Sequence, residues 1–287
     1  MTKLGFLTHA GLPDLSPDDR LAVVALQRAG IRVEPLVWTT HLPGRRIHDA
    51  LVLRSTWDYP TRIERFREWL DAVERHGLPL WNPPPTVRWN IDKSYLRDLE
   101  SRGVQTIASH HAEPGETLAS ILQSHGWTDA VIKPRISADG FRTCRAGRVD
   151  AAAHEPEFAA LLASPNGVVV QPFVPEITAN GEYALIFIGG EYSHMIRRRP
   201  ARGDYRVQER FGGTVEPAPT NAALVRMAEA VLDAVPVPWL YARVDGCTVK
   251  GVLQVMEVEL IEPSLFFSCD PSSADRFART VEHVLDT

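Results

Sequence analysis

One mostly apolar stretch with two acids set two residues apart constrains this chain more than any other: Gly251-Val252-Leu253-Gln254-Val255-Met256-Glu257-Val258-Glu259-Leu260-Ile261-Glu262-Pro263-Ser264. Its Val, Leu, Ile and Met content predicts a buried strand. Side chains alternate along a strand, so Glu257 and Glu259 share one face, with Val255 and Ile261 as the expected neighbours. Ionised carboxylates are too costly to bury alone; these two need a metal, an Arg or Lys, or a shared proton. Upstream, Leu240-Tyr241-Ala242-Arg243-Val244-Asp245-Gly246 reads as a second strand with Arg243 and Asp245 on one face. Asp245, Glu257 and Glu259 on neighbouring strands would make a hard-oxygen site suited to Mg²⁺ with phosphates as co-ligands.

The first 85 residues alternate strand and helix, which predicts a small, mostly parallel α/β unit. Strands are expected at Lys3 to Thr8, Arg32 to Trp38, Ala50 to Arg54 and Leu78 to Trp81, with helices from Ser16 to Gly30 and from Thr61 to His76. Pro83-Pro84-Pro85 reads as a stiff connector and the best boundary. Asn90 is expected to cap a helix holding Lys93, Leu96 and Leu99. Further on, Ala130 to Pro134 and Val168 to Pro172 read as short apolar strands. Glu182 to Ile188, Gly189-Gly190 and Tyr192 to Arg198 read as an antiparallel hairpin. Helices are expected at Asn221 to Val235 and Ser272 to Leu285.

The 287 residues carry a formal net charge of −5, which argues against a general nucleic-acid binder. No apolar run approaches the roughly 18 residues of a membrane helix. Cys144, Cys247 and Cys269 are scattered and lack Cys-x-x-Cys spacing, so neither a disulfide framework nor a zinc site is indicated. The expectation is a reduced, cytoplasmic protein with a small-molecule substrate and no nucleic-acid or membrane partner. Neither a P-loop, nor Gly-x-Gly-x-x-Gly after the first strand, nor a Gly-x-Ser-x-Gly elbow is present.

Individual polar residues each allow two readings. Lys133 precedes the small-residue loop Ser137-Ala138-Asp139-Gly140, so it is either aimed at phosphate oxygens under a mobile loop or snorkels to water from a strand end. Gln171-Pro172-Phe173-Val174 is a purine-binding hinge or a plain strand end. Arg197-Arg198-Arg199 offers one face to an anion or is a solvated edge strand, and Arg206 has the same two readings. Thr56-Trp57-Asp58-Tyr59 follows a parallel strand, where open α/β sheets bind ligands, or is a packed aromatic turn. His194 reads as structural, and His110-His111 is assigned nothing.

In order along the chain, Asp92-Lys93, Val131-Ile132-Lys133-Pro134, Gln171-Pro172-Phe173-Val174, Gly181-Glu182, Gly203-Asp204-Tyr205-Arg206 with Gly212-Gly213, Arg243-Val244-Asp245 and Glu257-Val258-Glu259 resemble the ATP-grasp superfamily on its glutathione-synthetase-like side. The resemblance covers about residues 88 to 270. It implies an α/β (α+β) ATP-grasp fold with a parallel pre-ATP-grasp domain over 1–87 and an ATP-grasp domain over 88–287. The latter would have a small lobe at about 105–175 and a C-terminal lobe at about 176–287. ATP and Mg²⁺ are implied, with Lys93, Lys133, Ser137, Gly140, Gln171, Pro172, Phe173, Val174 and Glu182 on the nucleotide. Arg206 and Lys133 would be catalytic on the transferred phosphoryl group, and Asp245, Glu257 and Glu259 would hold the metal. Thr56, Asp58, Arg197, Arg199 and Glu262 are the expected substrate contacts. Relatives commonly form dimers or tetramers, so a homo-oligomer is expected.

More narrowly, Ser55-Thr56-Trp57-Asp58-Tyr59-Pro60, Trp81-Asn82-Pro83, Trp89-Asn90-x-Asp92-Lys93 and Gly181 to Phe187 are similar to the cycloserine-forming ligases, which close O-ureido-D-serine into a five-membered ring. Two departures stand out. Ala184 stands where glutathione-synthetase relatives often carry a basic residue, and Glu259 stands where relatives often have Asn. The implied activity is ATP-dependent carboxylate–amine ligation through an acyl phosphate. A dipeptide-forming amino-acid ligase, a ligase acting on a protein tail and a non-catalytic nucleotide-binding regulator are the alternatives.

Overall fold

The computed structural model describes residues 2–286 other than 42, 45 and 46. The alternating N-terminal pattern folds as β1 (Lys3–Thr8), α1 (Pro17–Arg28), β2 (Arg32–Val37), β3 (Ala50–Ser55), α2 (Ile63–Arg75) and β4 (Leu80–Trp81). Its strands form a parallel sheet ordered β2-β1-β3-β4. Ser16 caps α1 by accepting the Asp19 N–H, and Pro17 opens the first turn, where its missing donor costs nothing.

Pro83-Pro84-Pro85 is not a stiff extended connector. Pro83 stands at the cap of α3 (Pro84–Asn90), and Pro84 and Pro85 occupy its first turn. Nor does Asn90 cap the helix that follows. It ends α3, and its side chain donates to the Val258 carbonyl at 2.7 Å and accepts the Leu260 N–H at 2.8 Å. Lys93 lies in the turn before α4 (Tyr95–Ser101).

A second sheet, antiparallel and ordered β5-β8-β6-β7, comprises β5 (His110–His111), β6 (Asp129–Pro134), β7 (Cys144–Gly147) and β8 (Val168–Pro172). Helices α5 (Leu118–Ser124) and α6 (Ala151–Leu162) back it through Leu118, Leu122, Phe158 and Leu161.

After the short α7 (Glu176–Asn180) comes the largest sheet, antiparallel and ordered β11-β10-β9-β12-β13. It is built from β9 (Glu182–Ile188), β10 (Glu191–Arg199), β11 (Thr214–Pro217), β12 (Tyr241–Val249) and β13 (Val252–Glu259), with α8 (Ala222–Asp233) before β12 and α9 (Ser273–Asp286) at the end. One face packs Ile186, Ile196 and Tyr241 against Phe6, Leu26 and Phe277 of β1, α1 and α9. The other packs Phe187, Val244 and Val258 against Leu99 and Leu232 of α4 and α8. Each fully buried side chain of this kind contributes about 1.5–3 kcal/mol relative to exposure.

Asn82 ties the N-terminal sheet to the large one. It is fully buried, its amide N–H groups reach the Tyr241 and Leu260 carbonyls at 2.8 Å each, and its oxygen accepts from Leu240 at 2.5 Å. Among the described residues no helix is long and apolar enough to cross a membrane.

Candidate active site

The two antiparallel sheets and the β3–α2 loop enclose a cleft of about 380 Å³, within the roughly 300–1,000 Å³ of small-molecule sites. One end is apolar, lined by Ile107, Val131, Pro172, Val174, Ile177 and Met256; the rest is densely charged.

The charged floor follows from strand register. Arg243 stands opposite Glu259, and Asp245 opposite Glu257, so all four side chains rise from one face. A bulge follows, since Gly246 pairs with Val255 and leaves Met256 unpaired. The expected neighbour Val255 is therefore turned to the opposite face, where it is buried with Leu253 and Val258, and Met256 joins Glu257 in the cleft. Gly246 fits this bulge because a Cβ there would lie 2.5 Å from the Gln254 carbonyl oxygen.

Each acid of the floor meets a cation. Glu257 pairs with Lys93 at 2.9 Å. Asp245 accepts from Arg198 at 2.6 Å and from Arg243 at 2.9 Å. Glu259 also pairs with Arg243, and Glu182 with Arg198. Burial works to raise all four carboxyls. At Glu257 it is overcome by Lys93 and Lys133, and at Asp245 by Arg198 and Arg243, so both stay below the usual carboxylate range. At Glu259 burial prevails over Arg243, helped by Asp245 and Glu257, and pushes it up to about 7. Glu262, buried and beside Glu259 and Glu257, is pushed up to about 8. Near neutral pH Glu262 thus keeps its proton and Glu259 keeps it in part, and a further cation would favour the ionised form of both.

Lys133 ends β6 over this floor and has no ion-pair partner among the described residues; burial lowers its affinity for a proton. Lys93 also donates to the Ser137 carbonyl at 2.9 Å and hydroxyl at 3.1 Å. Loop 137–143 meets loop 203–213 across the mouth. Asp139 pairs with Arg210 at 3.1 Å, and the Tyr205 hydroxyl donates to the Thr143 carbonyl at 3.4 Å. Gly140, at φ +64°, lies against Gln208. Arg206 lines the cleft, bound by Asp204 at 2.8 Å and stacked 3.7 Å above the Phe211 ring.

Lys93, Lys133, Ser137, Gly140, Gln171, Pro172, Phe173, Val174, Glu182, Arg206, Asp245, Glu257, Glu259 and Glu262 all line this one cleft. Gln171 spends its side-chain N–H on the Ser109 hydroxyl at 2.9 Å. Four expected substrate contacts stand apart from the lining. Thr56 is fully buried with an unpartnered hydroxyl, and Asp58 accepts the Trp38 indole N–H at 2.6 Å; their neighbours Trp57 and Tyr59 face the cleft instead. Arg197 and Arg199 bind Glu216, at 2.6 and 3.2 Å, on the other face of β10, because alternation sends the intervening Arg198 into the cleft. Sequence reasoning named the Gln171–Val174 hinge but singled out neither Arg198 within its run nor Ile107, Ile177 and Met256 of the apolar end. A charged run names no inward face, whereas the β-branched and apolar residues beside Lys133 and Glu257 were a usable signal for the apolar wall. His194 is structural, reaching the Phe266 carbonyl at 3.2 Å.

A nucleotide-sized cleft between two antiparallel sheets, beside a parallel N-terminal sheet, is the ATP-grasp fold. An ATP-grasp RimK domain protein from Sphaerobacter thermophilus superposes with a TM-score of 0.73 over 97% of this chain and 99% of that one, at 17% identity. D-alanine-D-alanine ligase from Bacillus anthracis superposes at 0.71 over 100% and 97%, at 16% identity. Within that fold the chain belongs to the family of cycloserine biosynthesis protein DcsG, being 31% identical over 277 residues to the Streptomyces lavendulae protein, across 90% of each. The crystal structure of D-cycloserine synthetase DcsG superposes with a TM-score of 0.88 over 99% of both chains, at 28% identity. Residues 4–82 match the family model of the D-cycloserine synthetase DcsG N-terminal domain. Glutathione synthetase of Vibrio vulnificus is 25% identical over 228 residues, 76% of this chain and 68% of that protein.

Proposed function

We propose that this protein is an ATP-dependent carboxylate–amine ligase whose substrate is small and amino-acid-like, with closure of O-ureido-D-serine to D-cycloserine as its reaction. The observation that carries the reading is the division of one cleft into an apolar end sized for a purine and a charged end where acids and cations alternate on adjacent strands. Likeness to DcsG over 90% of both chains supports the ring-closing form.

Mg²⁺ fits the donors in part. Glu257 and Glu259 are hard carboxylates two residues apart on one strand face, and Glu259, pushed up to about 7 by burial and by Asp245 and Glu257, would be ionised more readily beside a further cation. One or two carboxylates with phosphate oxygens and waters suffice for this ion. Asp245 is committed to two arginines, and among the described residues no trio of acids, His or Cys stands ready for a metal. Glu257 and Glu259 are thus the principal ligands proposed, with Asp245 as a third once its arginines turn to other anions. When bound, the ion neutralises phosphate charge.

The remaining work falls to this chain's own groups. Val174, Met256 and the Gln171-Pro172-Phe173 hinge hold the base. Lys93 and Lys133 hold phosphate oxygens, and Arg206 meets the transferred group. The substrate carboxylate attacks the γ-phosphorus and ADP departs; the N–O nitrogen then displaces phosphate from the acyl carbon, and water removes the carbamoyl group that this nitrogen carries in O-ureido-D-serine, as carbamic acid, to leave D-cycloserine. Catalysis is charge stabilisation and orientation. Loops 137–143 and 203–213 exclude the water that would hydrolyse the acyl phosphate. The protein is proposed to act in the cytoplasm as a homo-oligomer.

The test is ADP release with Mg²⁺-ATP over O-ureido-D-serine and single or paired amino acids. Release with O-ureido-D-serine alone, with a cyclic product by mass, supports ring closure. Release only with two amino acids makes this a dipeptide ligase. ATP binding without turnover on any compound moves the reading to a regulator.

A further inference from the structure

Among the described residues, one buried carboxyl of the cleft makes no ion pair, and Lys93 acts on it only at a distance. Glu262 is 8% exposed and lines the cleft, and its carboxylate accepts from no described residue except its own backbone amide. Glu182, Asp245, Glu257 and Glu259 each have a cation. A carboxyl so enclosed normally finds a partner, because its desolvation is otherwise uncompensated.

Its mounting is unusually rigid. The Tyr241 hydroxyl lies 3.1 Å from the Ile261 carbonyl, the Trp57 indole donates to the Glu262 carbonyl at 3.1 Å, Arg54 to the Pro263 carbonyl at 2.9 Å, and Arg243 to the Ser264 carbonyl at 3.0 Å. Three consecutive carbonyls, of residues 262–264, are thus fixed by three different side chains, while the single Tyr241 hydroxyl proton also has the nearer Leu53 and Trp81 carbonyls at 2.8 and 2.9 Å. Arg54 is itself held by Asp19 at 2.8 Å. Trp57, Tyr59 and Ile261 line the cleft beside Glu262 and give it an aromatic, apolar surround.

We propose that Glu262 is the receptor for the substrate's ammonium group, so that the site selects a zwitterionic amino acid over a simple carboxylic acid. An alkylammonium suits one preorganised carboxylate beside aromatic rings, to whose faces it is also attracted. Mg²⁺ instead demands a near-octahedral oxygen shell and keeps its waters, which an aromatic wall cannot supply. The inference rests on the ligase reading. In closure of O-ureido-D-serine the α-ammonium is a spectator, since the bond forms between the carboxyl carbon and the N–O nitrogen. Its removal therefore alters recognition and not chemistry.

The experiment compares O-ureido-D-serine and single amino acids with their desamino analogues. It uses ADP release by the full chain and by Glu262→Gln and Glu262→Asp, each first shown to melt cooperatively. Expected for the wild type is a KM for the amino compound roughly tenfold or more below that of its desamino analogue, as for a buried charge pair. Glu262→Gln raises the former roughly 10- to 100-fold, leaves the desamino compound and ATP within about twofold, and so erases the discrimination; Glu262→Asp restores part of it. An equal rise for both compounds, or a change only in the Mg²⁺ concentration required, overturns the proposal. If no compound supports ADP release, calorimetric titration in the presence of ADP and Mg²⁺ separates the two ideas. Zwitterion binding lost in Glu262→Gln keeps the ammonium site and overturns the ligase reading, while binding of none of the zwitterions overturns both.

Discussion

Lys93 and Glu257 meet at 2.9 Å on the cleft floor, and the same ammonium donates to the Ser137 carbonyl and hydroxyl. One cation therefore joins the acid-bearing strand β13 to the loop at the mouth of the cleft. Glu257→Gln should cut ADP release at least about 100-fold, because charge stabilisation of the transferred group is lost. Lys93→Met should release both the loop and the acid, raising KM for ATP and lowering the melting temperature. Steady-state kinetics with calorimetric melting checks both; full activity in either variant would remove these residues from the phosphate end.

Arg197 and Arg198 are neighbours with opposite surroundings. Arg198 is buried between Glu182 and Asp245, and its removal would leave two enclosed carboxylates without it. Arg198→Ala should cost about 3–5 kcal/mol, as for breaking a buried ion pair. Arg197→Ala loses contacts to Glu216 and Tyr183 outside the cleft and should leave stability and KM near wild type. Urea unfolding of the two variants side by side measures the contrast.

Glu262 gives a pH dependence of known sign. Its carboxyl is raised from 4.5 to about 8 in the ligand-free protein, by burial first and then by Glu259 and Glu257. The folded state therefore holds a proton that the unfolded chain releases above about 4.5, so this group's contribution to stability falls as pH rises from there toward 8. Glu262→Gln should raise the melting temperature, more at pH 8 than at pH 5. An equal gain at both would show that the carboxyl is ionised in the folded protein throughout.

The Asp139–Arg210 pair at 3.1 Å bridges the two loops over the mouth while remaining about half exposed. Arg210→Ala should leave the fold intact but loosen the cover, so that ADP release exceeds product formation as the acyl phosphate is lost to water. Charge reversal of both residues should restore the coupling. Raised salt should weaken it in the wild type, since the pair is screened. Parallel assays of ADP and product give the ratio.

The paired acids, the hairpin with its Gly189-Gly190 turn and the lysine at the end of β6 were legible because each leaves a short-range signature. What escaped the sequence depends on information that is not local. Which face of Arg197-Arg198-Arg199 points inward is a matter of one residue of register. The bulge at Met256 changes that register inside a strand of uniform composition. Three prolines fit an extended connector and a helix start equally well until the following residues choose, and here they form α3. Asn90 had the chemistry of a cap, but its partners lie 168 and 170 residues away, at Val258 on β13 and at Leu260 just beyond it.

The three fixed carbonyls of residues 262–264 bear on modularity. Two of the groups that hold them, Arg54 and Trp57, belong to the N-terminal α/β unit, and one, Arg243, to the large sheet. The unit covering 4–82 is thus no detachable appendage, but supplies two of the three side chains that set the backbone at Glu262 and beyond. A chimera that exchanges the N-terminal unit with a relative must import matching partners for Pro263 and Glu262. Retargeting this scaffold to a new substrate is accordingly a problem of co-designing two distant stretches of chain, rather than of editing the cleft lining alone.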